Sequence, residues 1–540
     1  MEYQKKALPF ITLLLGCLSP FINLAAINTN DLLVIYPDII KYFICLFSGS
    51  ILIALLIYKL LSRRLALHVV CNSISVFIVF FFMFYSLEGF LSRQQYIMGL
   101  HDEVYQILAW ACVTTFMVWG TYRFTSKINS PSLVPFILLF FLTIPIIKVL
   151  IYFSSISSTF HNSPLPQVTA RIKDSNFSPN VYFFILDQHI RRDVSKTLYD
   201  ADYANFINLL EDRGFYVADK ALSNYDFTRA SLASTFNMDY PYLPNQKSLL
   251  PGQISYETVS LFQSQNKNVV VNTFKELGYN FYLADSAIDF AGCKGLEDFC
   301  VPGTTFRELT TILIQSTVLD SLKRFFERMG YITAKKKNEY SHLPFDLPEL
   351  TAIEAFKHPK PLFFFSHILA PHAPFRAWAD CGPIRKPFSL KDTNMHTPTK
   401  KDNDIDAWRL LYKNQMFCVH KKVIEGIDAI LNVDQNAIII IQGDHGAKSL
   451  LQSTLPFNKW SKSEFTESFG ILNALRLPES VHHLLHPSIS PVNTFRLVFS
   501  AITTEQFDML ENKSFYVDES VQDNWKVVLS PWSAHISPRS

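Results

Sequence analysis

The sequence predicts an N-terminal bundle of five membrane-spanning helices followed by an α/β domain, a mainly parallel sheet covered by helices on both faces. Three observations predict it. Apolar residues crowd into the first 155 of the 540 positions. Beyond residue 178, short apolar runs alternate with amphipathic helical patterns. Polar residues capable of chemistry stand just after those runs. Hydrophobic residues make up 49% of the chain, and the formal net charge of +2 gives no reason to expect a nucleic-acid partner.

The predicted spans cover residues 8–27, 39–61, 67–92, 105–122 and 133–155. A helix needs about 20 apolar residues to cross a bilayer. The fourth stretch is short and carries Thr114, Thr115 and Gly120. A cleaved signal peptide fits the first stretch poorly, because four more follow. Lys5 and Lys6, then Lys59, Arg63 and Arg64, then Arg123 and Lys127, fall in every second loop. That bias predicts a cytoplasmic N-terminus, with everything after residue 155 outside.

Residues 156–178 read as a linker, being rich in Ser, Pro and Asn, and the outer domain is expected over 179–540. Its strands are expected at 180–187, 279–285, 361–368 and 436–441. A helix is expected at 201–214, ended by Gly214, and a longer one at 405–432, where Trp408, Leu411, Met416, Val419, Val423, Ile427 and Ile430 give one apolar face. Strands apolar on both sides, alternating with such helices, predict a parallel sheet. Cysteines divide between the spans and the outer part. Cys293 and Cys300 flank a short loop and are candidates for a disulfide. Elimination leaves Cys381 and Cys418, whose pairing stays open because Cys418 falls on a predicted helix. The stretch "KRFFERMGYITAKKKNEY" at 323–340 is basic, and reads either as a solvated surface or as a patch facing anionic headgroups.

In parallel sheets, ligands bind at the carboxyl ends of the strands. Asp187 ends "VYFFILD", His367 follows "PLFFFS" with His372 five residues on, and Asp444 and His445 follow "AIIIIQG". Singly, each has an ordinary explanation as a cap or a loop residue. Together, two aspartates and several histidines at one sheet edge predict a divalent metal, zinc or manganese before calcium, with magnesium also open. In "SNYDFTRASLASTFNMDY" a helix is expected to start near Thr228. A hydroxyl beside a cation there is a candidate nucleophile; otherwise Thr228 or Ser231 is a capping residue. Gly443 and Gly446 are expected to allow a tight backbone around the ion.

Taken in order, strand-Asp187, "NYDFTRASLAS", "HILAPHAPF" and "QGDHG" resemble the sulfatase-like hydrolases and transferases of the alkaline phosphatase superfamily. "ESFGILNALRLP" and "ISPVNTFRLVF" resemble later segments of that family, so the likeness spans about 178–500. The spans before such a domain are similar to those of lipoteichoic acid synthases and lipid A phosphoethanolamine transferases. The resemblance implies an alkaline-phosphatase-like fold and a metal held by Asp187, Thr228, Asp444 and His445, and leaves a second ion open. It implies Thr228 as nucleophile and His372 as the histidine that meets the substrate. Family members often have Gly or Ser and then an aromatic after the first Asp; here Gln188 and His189 follow. That departure bears on the substrate rim, for which His367, Gln188 and His189 are candidates. Threonine cannot become formylglycine, and the Cys/Ser-x-Pro-x-Arg pattern of true sulfatases is absent at Thr228-Arg229-Ala230-Ser231-Leu232.

The expected function is transfer of phosphoethanolamine or phosphoglycerol from a membrane phospholipid to an envelope glycan or lipid, such as lipopolysaccharide. An ester hydrolase on the same scaffold and a non-catalytic envelope-binding protein are the alternatives.

Overall fold

The structure is a computed structural model. It describes residues 2–27, 32–61, 65–84, 103–128, 132–157, 172, 178–243, 261, 268–284, 295–301, 313–314, 316–328, 361–373, 375–382, 384, 402–449, 457–518 and 526–530. Two compact units are present, residues 1–160 with 306–337, and residues 161–305 with 338–540.

The first unit holds α1 (Glu2–Ile27), α2 (Leu32–Leu61), α3 (Leu67–Phe82), α4 (Glu103–Ile128) and α5 (Leu133–Ser157). Each falls on one of the five predicted spans, although 85–92 of the third lies outside the described residues. Among the described residues, three segments are long and apolar enough to cross a membrane: Ala7–Ala26, Ile39–Leu61 and Leu133–Ile151. Leu67–Phe82 is apolar but shorter. All five expected helices are therefore present, and three of them meet the length and apolarity of a crossing over their described residues. In α4 the apolar stretch is diluted by Thr114, Thr115, Gly120, Thr121 and Arg123. Small residues bring α1 and α3 together. A Cβ on Gly16 would stand 2.7 Å from that of Ser75, whose hydroxyl donates to Thr12 O at 2.9 Å.

The second unit runs β1 (Val181–Leu186), α6 (Arg192–Tyr199), α7 (Ala204–Glu211), β2 (Tyr216–Val217), α8 (Thr228–Asn237), α9 (Val269–Glu276), β3 (Asn280–Ala284) and β4 (Phe299–Val301). Next in the chain comes α10 (Val318–Arg328), which belongs to the first unit. The second unit resumes with β5 (Leu362–Ile368), α11 (Asp402–Val433), β6 (Ile438–Gly443), α12 (Lys462–Phe469), β7 (Asn473–Arg476), α13 (Thr494–Ile502), β8 (Phe515–Asp518) and β9 (Lys526–Leu529). Seven strands form one sheet in the order β2-β7-β6-β1-β5-β3-β4. The run from β6 to β4 is parallel; β7 and β2 extend it antiparallel.

Alternation along the central strands feeds two cores. Val181, Phe183 and Ile185 of β1 join Phe363, Phe365, Ile438 and Ile440 under α8, α9 and α13. Tyr182, Phe184 and Leu186 join Phe364, Ile439 and Ile441 under α6, α7 and α11. Burial on both faces is why these strands read as unbroken apolar runs. The expected helix at 201–214 is shorter, Ala204–Glu211, but Gly214 does follow it with a positive φ of 81°. The strand expected at 436–441 is shifted to Ile438–Gly443, so that it carries Gln442 and Gly443 up to the sheet edge.

Cys381 and Cys418 form a disulfide that ties the loop after β5 to α11. Cys300 is also disulfide-bonded, whereas Cys293 lies outside the described residues.

Candidate active site

Register decides where the polar groups go. Leu186, the last residue of β1, lies opposite Ile368 of β5 and Gly443 of β6. The residues that follow, Asp187 and Asp444, therefore emerge side by side, with His367 one position earlier on β5. All three side chains are buried, as is that of His445.

The chain turns sharply after β1 because Gln188 adopts a left-handed conformation, φ 62°. Its N–H donates to Asp444 Oδ1 at 3.0 Å, and its carbonyl accepts from Tyr412 OH at 2.6 Å. The His445 N–H also donates to Asp444 Oδ1, at 2.9 Å. His445 Nδ1 lies 2.8 Å from Gly446 O. A carbonyl only accepts, so Nδ1 carries the proton and Nε2 presents its lone pair. That lone pair faces Asp187 Oδ1 at 3.7 Å, Asp444 Oδ2 at 3.5 Å and Thr228 Oγ1 at 3.3 Å. His367 Nε2 stands 3.6 Å from Asp187 Oδ2.

Thr228 is the first residue of α8, and its cap, Phe227, supplies no side-chain bond. The Thr228 hydroxyl is turned toward His445 Nε2 and helps to hold the Asp444 carboxyl low. Ser231, one turn on, donates to Tyr225 O at 3.1 Å and to Asp444 O at 2.6 Å, fixing α8 against the end of β6. Of the two hydroxyls, Thr228 thus faces the carboxylates and Ser231 braces the backbone.

Gly443 and Gly446 serve a purpose other than the one expected. Neither has a positive φ. A Cβ on Gly443 would stand 2.6 Å from His189 O, and one on Gly446 would stand 1.9 Å from Glu467 O. Close approach of neighbouring chains requires both glycines. Glu467 is fully buried; it accepts from Tyr199 OH at 2.6 Å and from Ser449 N at 3.1 Å, and so anchors the loop after His445. Lys448 pairs with buried Asp226 at 3.1 Å.

The electrostatics call for a cation. Burial, with the Asp444 charge adding to it, raises the Asp187 carboxyl well above the ordinary value. Burial works against Asp444 too, but His445, His367, the Thr228 hydroxyl and the Gln188 N–H outweigh it and hold that carboxyl low. Burial lowers His445, and it lowers His367 to about 4, so both imidazoles stay neutral near pH 7. The Asp444 carboxylate, with neutral histidines around it and Asp187 resisting ionisation beside it, leaves negative charge without compensation. Among the described residues, Asp187 Oδ1 and Asp444 Oδ2 are buried yet accept no hydrogen bond. Ligand atoms of Asp187, Asp444 and His445 lie within 4.8 Å of one another. Orphaned carboxylate oxygens beside an imidazole lone pair fit a divalent ion.

The remaining candidates divide. His372 is half-buried; its N–H donates to Asp187 O at 3.1 Å and its carbonyl accepts from Gln415 Nε2 at 2.9 Å, which fixes its loop beside the aspartates. Gln188 is buried and contributes through its main chain. His189 is corrected as a substrate contact. It is fully buried, and its Nε2 lies 2.7 Å from His420 Nε2 behind the sheet edge, among Tyr203 and Phe206. Sequence reasoning missed Ser231 as a brace, and Glu467, Asp226 and Lys448 altogether. The signal for Glu467 was its place at the head of "ESFG", one of the segments carrying the family likeness.

No protein-family profile matches the chain, and no curated protein does. Among solved structures, it is similar to the C-terminal periplasmic domain of EcEptC from Escherichia coli, at 12% identity and TM-score 0.43, over 69% of this chain and 99% of that one. It is similar to the integral membrane lipooligosaccharide phosphoethanolamine transferase A of Neisseria meningitidis, at 12% identity and TM-score 0.34, over 92% and 95%. It is also similar to the phosphonate monoester hydrolase of Agrobacterium radiobacter, at 14% identity and TM-score 0.37, over 64% and 81%. Likeness at this distance assigns neither family nor activity, which have to be argued from the site itself.

Proposed function

We propose that this chain is a membrane-anchored, metal-dependent phosphotransferase of the alkaline phosphatase superfamily. It moves phosphoethanolamine or phosphoglycerol from a membrane phospholipid to a hydroxyl of an envelope glycan or lipid. The observation that carries the reading is the convergence of Thr228, Asp187, Asp444 and His445 with two carboxylate oxygens left unbonded.

These four residues would hold the ion. When bound, it lowers the pKa of the Thr228 hydroxyl and polarises a phosphoryl oxygen. Thr228 Oγ1 attacks phosphorus, and the bond from phosphorus to the diacylglycerol oxygen breaks. His372 gives a proton to that departing alkoxide. An acceptor hydroxyl then gives its proton back to His372 and attacks the phospho-threonine, and the bond from phosphorus to Thr228 Oγ1 breaks, which restores both residues. Burial of Asp444 and His445 keeps water out and holds the nucleophile in one geometry. The catalytic domain, taken as 179–540 after the linker, would lie outside the inner membrane, where both lipid headgroups and envelope glycans are within reach.

Thr228→Ala in the full-length protein should abolish transfer of a labelled headgroup from phospholipid, while the protein still inserts and melts as wild type. Mass spectrometry of the wild type should find the headgroup phosphate on the Thr228 peptide. Label appearing only in water assigns hydrolysis on the same site; full activity in Thr228→Ala ends the covalent mechanism.

A further inference from the structure

We propose that α10, a helix of the 306–337 insertion, is a second membrane attachment, lying in the interface with one flank buried in lipid. This goes beyond the chemistry of the site and does not rest on it.

In sequence the insertion lies deep within the outer domain, between β4 and β5. In space, residues 306–337 group with the N-terminal helices, and α10 packs on α4. Thr317 starts the helix: its hydroxyl accepts the Leu319 N–H at 3.3 Å. Val318 and Ser321 are buried, with Leu322 and Phe325 half-buried beside them on the same face. At about 100° per residue, Leu319 and Phe326 fall within about 20° of each other, adjoining that buried face. Both are exposed, Leu319 at 51% and Phe326 at 39%. The charged residues Asp320, Lys323, Arg324, Glu327 and Arg328 take the rest of the circumference.

The apolar arc is therefore wider than α4 covers. One half packs against a helix of the membrane unit, and the other half stays open. An uncovered flank costs least where the neighbouring surface is already in lipid. The helix beneath it exposes Phe116 at 66% and Trp119 at 55%, so α4 presents large apolar side chains of its own. A bilayer continues that surface across Leu319 and Phe326 with no further partner required. The charge pattern agrees. The helix carries three basic and two acidic residues, and the sequence continues to Lys335, Lys336 and Lys337. Basic residues beside an apolar flank are the mark of an interfacial helix that favours anionic lipid.

The test uses the full-length protein in vesicles of phosphatidylethanolamine and phosphatidylglycerol that include a phospholipid with a diazirine on its acyl chain. Light should attach lipid to the peptide carrying Leu319 and Phe326, as well as to the spans, where Phe140 and Phe141 are exposed. In Leu319→Asp/Phe326→Asp the adduct on this peptide should fall about tenfold or more, while the span adducts persist and show that the protein is still inserted. Adducts confined to the spans in the wild type, undiminished adducts in the double variant, or protein-to-protein crosslinks through residue 319 or 326 would each overturn the proposal.

Discussion

Two groups of buried histidines lie close to the end of β1, and they do opposite things. His445 and His367 face Asp187 and Asp444. His189 and His420 face each other, Nε2 to Nε2 at 2.7 Å, with the His420 ring stacked on Phe206 at 3.9 Å between centroids. Burial lowers all four imidazoles. The difference lies in the carboxylates. In the first group two carboxylate oxygens have lone pairs and no donor, so a cation completes the site. In the second, one neutral ring donates to the other and aromatic neighbours fill the space, so no ion is needed. Histidine at a strand end is thus not diagnostic of a metal. The unsatisfied acceptors beside it are.

The widest contrast should appear on substituting one member of each group. Asp444→Asn should cut bound metal, measured by inductively coupled plasma mass spectrometry, and lower transfer by more than about a hundredfold. His420→Gln should leave metal content at the wild-type level. Equal metal loss in both variants would erase the distinction drawn here.

A smaller effect follows from protonation. The His189 imidazole is lowered to about 4, and His420 is lowered well below its ordinary value, burial being the main cause for each. Between pH 6.5 and 4 the unfolded chain binds protons that the folded pair refuses. Stability from this pair is therefore complete above pH 6.5 and declines as pH falls through the window. For His189 alone the loss is on the order of 3 kcal/mol by pH 4. Melting His189→Gln/His420→Gln across that range should give a shallower decline than wild type. The metal group contributes to both proteins and cancels in the difference. Parallel curves would mean the pair is not the buried neutral unit described.

Much of this was legible in the sequence. Four consecutive isoleucines ending in Gly443-Asp444-His445 can hardly be anything but a buried central strand, and β1 and β5 read the same way. Their shared register then brings Asp187, His367 and Asp444 together. The direction of His189 was not legible. Alternation along β1 stops at Gln188, whose left-handed backbone swings the next side chain behind the sheet edge. The strands β2 and β7, which extend the sheet beyond β6, were missed because two and four residues leave no periodicity to detect. Glu467 and Ser231 were hard to read for another reason. Their hydrogen bonds reach across 18 and 213 positions, and such pairings belong to the fold and not to any local pattern.

Ser231 gives the smallest and most specific test of how the reactive group is held. Its hydroxyl bridges Tyr225 O and Asp444 O, so it joins the start of α8 to the end of β6 without touching a carboxylate oxygen. Ser231→Ala removes the one hydroxyl proton that these two carbonyls share. The cost should be about 1–2 kcal/mol of stability. Metal content should not change, because Asp187, Asp444 and His445 keep their own supports. Transfer should fall modestly, about tenfold, since Thr228 loses part of the brace that sets its distance from Asp444. A Ser231→Ala protein that loses its metal as Asp444→Asn does would show that α8 and the ligand cluster are one mechanical unit, and the division of labour between Thr228 and Ser231 would fall with it.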